Sequence, residues 1–217
     1  DKQPTAQGHS PMTTLLYSHR ACLQHIAGPG HPESPARLDA VLGALRGDRF
    51  AALVWREAPK ATMEQLTLVH DYDYAQMVFA AIPDRGFRQI DADTGLSPAT
   101  GEAALRSSGA LVSAVNAVVD GEATNAFCAV RPPGHHAEPA RAMGFCLFNN
   151  VAIGALHARM EHGFGRIAVV DFDVHHGNGT QNIFYDNEKV LYISSHQYPY
   201  YPCLLYTSDA ADEGLGV

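Results

Sequence analysis

Short apolar runs without polar alternation constrain this chain more than any other feature. Ala126–Val130, Ile167–Val170 and Val190–Ser194 are such runs. A strand with one wet face alternates, so these read as strands buried on both faces of a parallel sheet. Between and before them lie segments with helical spacing. Ser34 reads as an N-cap and Pro35 as the first helical residue; Leu38, Val41, Leu42 and Leu45 follow, and Gly47 ends the run. A second helix is expected from Pro98 through Val119, with Leu105, Val112, Val115 and Val119 on its buried face and Asp120-Gly121 as its stop. A third is expected from about Asn150 to His162-Gly163. Strands alternating with helices predict an α/β fold: an open, mostly parallel, doubly wound sheet with helices on both faces. Ligands in such folds gather in the loops beyond the carboxyl ends of the strands.

Composition narrows the partners. At 217 residues with a net charge of -8, the chain suits one domain and argues against nucleic acid held by a broad basic face. A small or peptide substrate carrying positive charge remains compatible. No apolar run approaches the roughly 18 residues of a membrane span. The opening DKQPTAQGHSPMTT has no positive stretch followed by an apolar core, so no secretory leader is expected. Cys22, Cys128, Cys146 and Cys203 are scattered without a CxxC pair, which fits a reducing cytoplasm. Cys128 and Cys146 sit among apolar residues and are expected to be buried thiols. There is no internal repeat and no low-complexity linker. Oligomeric state is not encoded in any of these features.

The chemistry falls where the fold rule puts it. IAVVDFDVHHGNGTQ runs directly out of an expected strand, and Asp171, Asp173 and His175 are spaced by two, so extended backbone points all three the same way. A lone DxD reads more simply as a solvated loop. With an apolar strand before it and HHGNG after it, carboxylate oxygens and imidazole nitrogen converge as a set that suits catalytic zinc. Gly177 and Gly179 are expected to let the loop turn sharply beside the metal. AVRPPGHHAE follows another apolar run: Pro132, Pro133 and Gly134 form a compact loop presenting His135 and His136. Adjacent imidazoles can take a proton and return it near neutral pH.

RPPGHHAEPARAMGFCLFNNVAIGA followed by VVDFDVHHGNGTQNIFY resembles the histone deacetylase superfamily, and its class II-like and bacterial amidohydrolase members most of all. GPGHPESPARLDAVLGAL and DADTGLSPATGEAALRSSGA fit the same pattern, so the resemblance runs from about Leu15 to Pro202. It implies an arginase/deacetylase-like sheet and zinc-dependent hydrolysis of N-acetyl amides. Asp173 and His175 would bind zinc, with a further aspartate from a later loop. His136 would be the general base and would later protonate the leaving amine. His135 would stabilise charge with Asp171 behind it. Asn178 stands where many class I members have an aspartate, which would leave the second histidine less basic. Gly144 and Phe145 match the channel for the acetyl-lysine side chain, and Tyr201 the opposite wall. Asp93 matches an acidic rim residue that binds substrate backbone. Ser194 and Ser195 match a structural monovalent-cation site, implying potassium.

The resemblance also implies what should follow Pro202: a glycine-rich loop, the third zinc ligand and an oxyanion-stabilising tyrosine. CLLYTSDAADEGLGV matches none of these, and nothing around Asp209 or Asp212 supports a ligand role. Residues 1–14 are therefore expected as a flexible start, 15–202 as the first portion of one deacetylase domain, and 203–217 as a non-family tail. The chain as written is expected to be inactive and aggregation-prone. The substrate is an acetylated protein or peptide, or else an acetylated polyamine. A non-catalytic acyl-lysine binder is the alternative of a different class, disfavoured because a binder needs no proton-transfer pair. An arginase-type hydrolase with two manganese ions would want more carboxylates than DFDVHHGNG supplies.

Overall fold

The computed structural model describes residues 12–203. The expected flexible start therefore lies largely outside the described residues, as does nearly all of the expected tail, with Asp209 and Asp212. In chain order the elements are β1 (Thr14–Ser18), α1 (Ala21–Gln24), α2 (Pro35–Leu45), β2 (Val54–Glu57), α3 (Met63–Leu66), α4 (Tyr72–Ala80), β3 (Arg88–Asp91), β4 (Thr94–Leu96), α5 (Thr100–Val119), β5 (Asn125–Cys128), α6 (Asn150–His162), β6 (Ile167–Asp171), α7 (Asn178–Phe184) and β7 (Val190–Ser194). Strands β2, β1 and β5 pair in that order, both ladders parallel, with Leu15 opposite Val54 and Ala126. Strands β6 and β7 form a second parallel pair that ends with Asp171 opposite Ser194. Only β3 and β4 pair antiparallel among the described strands. The mostly parallel α/β architecture is thus as expected.

Strand β1 is the centre of the first sheet. On one face Leu15 and Tyr17 pack against Ala110, Ala114 and Ala117 of α5. On the other, Leu16 meets Cys22, Leu38 and Leu42 from α1 and α2. Helix α5 buries Val112 and packs Leu105 against the core as expected, but the rest of its burial differs. Val119 is 38% exposed, and the inward face is made of small residues, Ala103, Ser107, Ala110, Ala114 and Ala117 among them. Small side chains let neighbouring backbone come close: a Cβ on Gly109 would lie 2.1 Å from the Pro59 carbonyl oxygen. Helix α2 likewise buries Leu38 and Leu42 but leaves Val41 exposed. Helix α6 begins and ends as expected, with the Asn149 side chain accepting the Ala152 N–H and Gly163 at φ 71° closing it.

The expectation that the strands are buried on both faces needs correction. Val169 and Val190 pack beneath α6 and Phe184 of α7. Their neighbours point the other way, and Val170, Leu191 and Ile193 are 61%, 60% and 46% exposed. No described element covers that face. Cys128, similarly, is half-buried, while Cys146 is fully enclosed; all four cysteines are free thiols. Among the described residues no helix is long and apolar enough to cross a membrane.

Candidate active site

Two loops build the site, one leaving β5 and one leaving β6, each at the carboxyl end of its strand. The first presents His135 and His136, with ring centroids 4.0 Å apart. Strand β6 ends at Asp171, so Asp173 and His175 stand on the loop beyond it. That loop is held by its own carboxylates: Asp171 Oδ1 accepts the Asp173 N–H at 3.1 Å, and Asp173 Oδ1 accepts the His175 N–H at 2.8 Å.

The histidine loop and the aspartate loop meet through side chains. His135 Nδ1 lies 2.9 Å from Asp171 Oδ2, which also accepts the Tyr192 hydroxyl at 3.0 Å. Burial pushes the Asp171 carboxyl up, but the bonds from His135 and the Asp173 N–H outweigh it and leave it below its ordinary range. His136 Nδ1 lies 2.8 Å from Asn178 Oδ1, while Asn178 Nδ2 donates to Glu138 Oε1 at 3.1 Å. The carboxylate fixes which way the amide faces. Its oxygen is therefore turned to His136, and the His136 proton sits on Nδ1, leaving a lone pair on Nε2. Burial, reinforced by the neighbouring His135, lowers the His136 pKa to about 4.

Asp173 and His175 are more open, with side chains 48% and 38% exposed. His175 Nδ1 is 3.1 Å from Asp173 Oδ1, and His135 Nε2 is 3.9 Å from the same oxygen. A carboxylate oxygen beside an imidazole nitrogen, both reachable from solvent, fits two ligands of a zinc ion. The described residues supply no group of three histidine, cysteine, aspartate or glutamate side chains that could hold a metal.

The glycines serve close approach. Gly177 has an ordinary φ of -77°, and Gly179 is likewise not at positive φ, contrary to the sharp turn expected. A Cβ on Gly177 would instead lie 2.3 Å from Asp171 Oδ2 and 2.4 Å from the Tyr192 hydroxyl. Gly144 is left-handed at φ 57°, and a Cβ there would lie 2.3 Å from His136 Cδ2. Phe145 follows at φ 69°, a costly conformation for a bulky residue. Two bonds hold this pair: Gly144 N–H to Asp93 Oδ1 at 3.0 Å and Phe145 N–H to Thr94 Oγ1 at 3.2 Å.

Asp93 thus braces the Gly144–Phe145 turn with its carboxylate, which also receives the Tyr201 hydroxyl. Burial, then Asp93, raises the Tyr201 pKa. The Tyr201 ring stands perpendicular to His136 at 5.0 Å. Ser194 Oγ lies 2.8 Å from His196 Nδ1, and the Ser195 N–H donates to the Asp171 carbonyl at 2.9 Å, so both serines sit beside Asp171. The sequence reading missed Glu138, Tyr192 and Thr94. Glu138 lies two residues past His136 in the same motif, and that nearness was its only signal.

Comparison with known proteins points the same way. A match to the histone deacetylase domain covers residues 31–216. The histone deacetylase-like amidohydrolase of Pseudomonas aeruginosa is 41% identical over 204 residues, covering 85% of this chain and 53% of its own. Human polyamine deacetylase HDAC10 is also 41% identical, over 85% of this chain and 29% of its own. The crystal structure of the HDA15 HD domain superposes with a TM-score of 0.83 at 34% identity, covering 89% of this chain and 56% of that one. The chain spans about half the length of the curated relatives it matches, 53% of the Pseudomonas protein and 53% of a probable deacetylase of Archaeoglobus fulgidus.

Proposed function

The chain belongs to the histone deacetylase family, and on that premise we propose that its site hydrolyses N-acetyl amides, releasing acetate and a free amine, with acetyl-lysine in a protein as the leading substrate. The observation that carries this is the Glu138–Asn178–His136 relay, which leaves His136 with an unprotonated Nε2 beside the Asp173–His175 pair. His136 takes a proton from water as the water oxygen adds to the amide carbon. It returns that proton to the amine nitrogen as the carbon–nitrogen bond breaks. His135, held by Asp171, stands to stabilise the negative charge that develops on the substrate. Gly144, Phe145 and Tyr201 hold the methylene stem; Asp93 holds Gly144 and Tyr201, and Thr94 holds Phe145. Zinc on Asp173 and His175, with a further ligand from outside the described residues, would supply the Lewis acid for the amide carbonyl. Ser194 and Ser195 are candidates for a potassium site, supported by their place beside the Asp171 carbonyl.

An acetylated polyamine is the second substrate class, supported by the 41% identity to a polyamine deacetylase. The test uses the intact natural protein, assayed on an acetyl-lysine peptide and an acetylated polyamine, with metal content measured in parallel. One zinc per chain and turnover of either substrate are expected. His136→Ala should lower kcat by about 10²–10⁴-fold while a channel ligand still binds. Turnover that survives this substitution sinks the assignment of the base, and two bound manganese ions per chain favour an arginase-like hydrolase.

A further inference from the structure

A buried charge cluster lies behind the site, and the chemistry above does not use it. Arg131, at the root of the loop that presents His135 and His136, is 4% exposed, and Glu33 is 1% exposed. The Arg131 guanidinium forks onto both carboxylate oxygens of Glu33 and donates also to the carbonyls of Cys22 and His25. Its partners thus come from around α1 and from the segment preceding α2, far away in sequence. Two residues before Glu33, His31 reaches the other side of the site. Its Nε2 lies 3.0 Å from the Asp93 carbonyl, and its ring meets Phe145 edge-on at 4.6 Å. The Asp93 carbonyl can only accept, so Nε2 carries the proton; Nδ1 then accepts the Glu33 N–H at 3.1 Å. One strap, residues 31–33, therefore grips both the histidine loop and the channel wall.

We infer that this strap is a positioning device for the reaction, with Glu33 acting through Arg131 on His135 and His136, and His31 acting on Phe145 and Asp93. The inference rests on the deacetylase reading for its kinetic consequences but not for its geometry. A guanidinium held by four acceptors has one orientation, and it fixes the backbone from which the tandem histidines hang. Misplacing a proton-transfer group lowers the rate of the chemical step, whereas loosening the channel wall weakens substrate binding. The two ends of the strap should therefore separate kinetically.

The test is made in the intact natural protein. Removing one partner alone strands a buried charge, so Glu33→Met is combined with Arg131→Met, an exchange that preserves volume and removes both charges. The double variant should keep its melting temperature within about 5 °C. It should lose about 10-fold or more in kcat with little change in KM. His31→Phe keeps a ring against Phe145 and should raise KM several-fold with kcat nearly unchanged. A double variant with wild-type kcat overturns the inference. So does a loss of activity that merely tracks the folded fraction. If the double variant does not fold, Arg131→Lys keeps the charge but not the fork and should show the same kcat loss; unchanged kcat there overturns the inference too. Imidazole nitrogen resonances of His135 and His136 give a readout without turnover. They should move in the Glu33 and Arg131 variants and stay in place in His31→Phe. Resonances that stay in place throughout refute positioning, whereas shifted resonances in a protein with no deacetylase activity refute only the deacetylase reading.

Discussion

The two halves of the site are built on opposite principles. On the half proposed to move protons, the polar partners of His135 and His136 are themselves bonded: Asp171 to Tyr192, Asn178 to Glu138. On the half proposed to hold the metal, Asp173 and His175 bond chiefly to each other and face solvent. The first half is closed by its own hydrogen bonds, while the second is left open to solvent. The difference shows that preorganisation here is local: buried side chains fix tautomer and direction only where they exclude water.

The contrast can be broken most sharply at Asp173. Asp173→Ala should abolish stoichiometric zinc and lower turnover by more than about 10³-fold, yet leave the melting temperature of the metal-free protein nearly unchanged. A large fall in metal-free stability would mean the metal half is also built by folding. Gly144→Ala attacks the other half, because its methyl collides with the His136 ring. It should cost about 1–3 kcal/mol in denaturant unfolding and roughly 10²-fold in kcat, with zinc content retained.

Acid should also discriminate between the halves. Burial lowers His25, His70 and His136 each to about 4. The unfolded chain binds their protons first, so the stabilisation is fully present above the unfolded value of about 6.5 and lost as pH falls toward 4. Each histidine should contribute at most about 2 kcal/mol to that loss by pH 5. Urea titrations of the metal-free protein at pH 7.5 and 5 measure it, and equal stabilities would show that these rings are not held neutral. The smallest effect is expected from Asn178→Asp. A carboxylate facing His136 should move the acid limb of the kcat/KM profile upward by about one pH unit. An unmoved limb would mean that His136 does not set it.

How much of this was legible beforehand depended on the range of the contacts. Helix α6 could be bounded because its signals are local: a capping asparagine, helical spacing and a left-handed glycine. The His135–Asp171 pairing was expected only from the family resemblance, because its partners lie 36 positions apart on separate loops. The brace on Gly144 and Phe145 comes from residues 51 positions earlier, and Arg131 and Glu33 are 98 apart. No spacing rule reaches that far. The inward face of α5 was read only in part: Val112 is buried as expected, but bulk was taken as the sign of burial, whereas close packing there also selects alanine, serine and glycine. Gly177 was placed in the right loop for the wrong reason: its hydrogen makes room for Asp171 and Tyr192.

One backbone bond, finally, spans the seam between the two parallel strand sets. The Thr180 N–H donates to the His135 carbonyl at 3.0 Å, from the first turn of α7 to the loop after β5, and Thr180 is fully buried. Its amide can exchange with solvent only when the histidine and aspartate loops part. The exchange rate of that single proton is therefore a direct gauge of how often the site comes undone, with no substrate, metal or assay required.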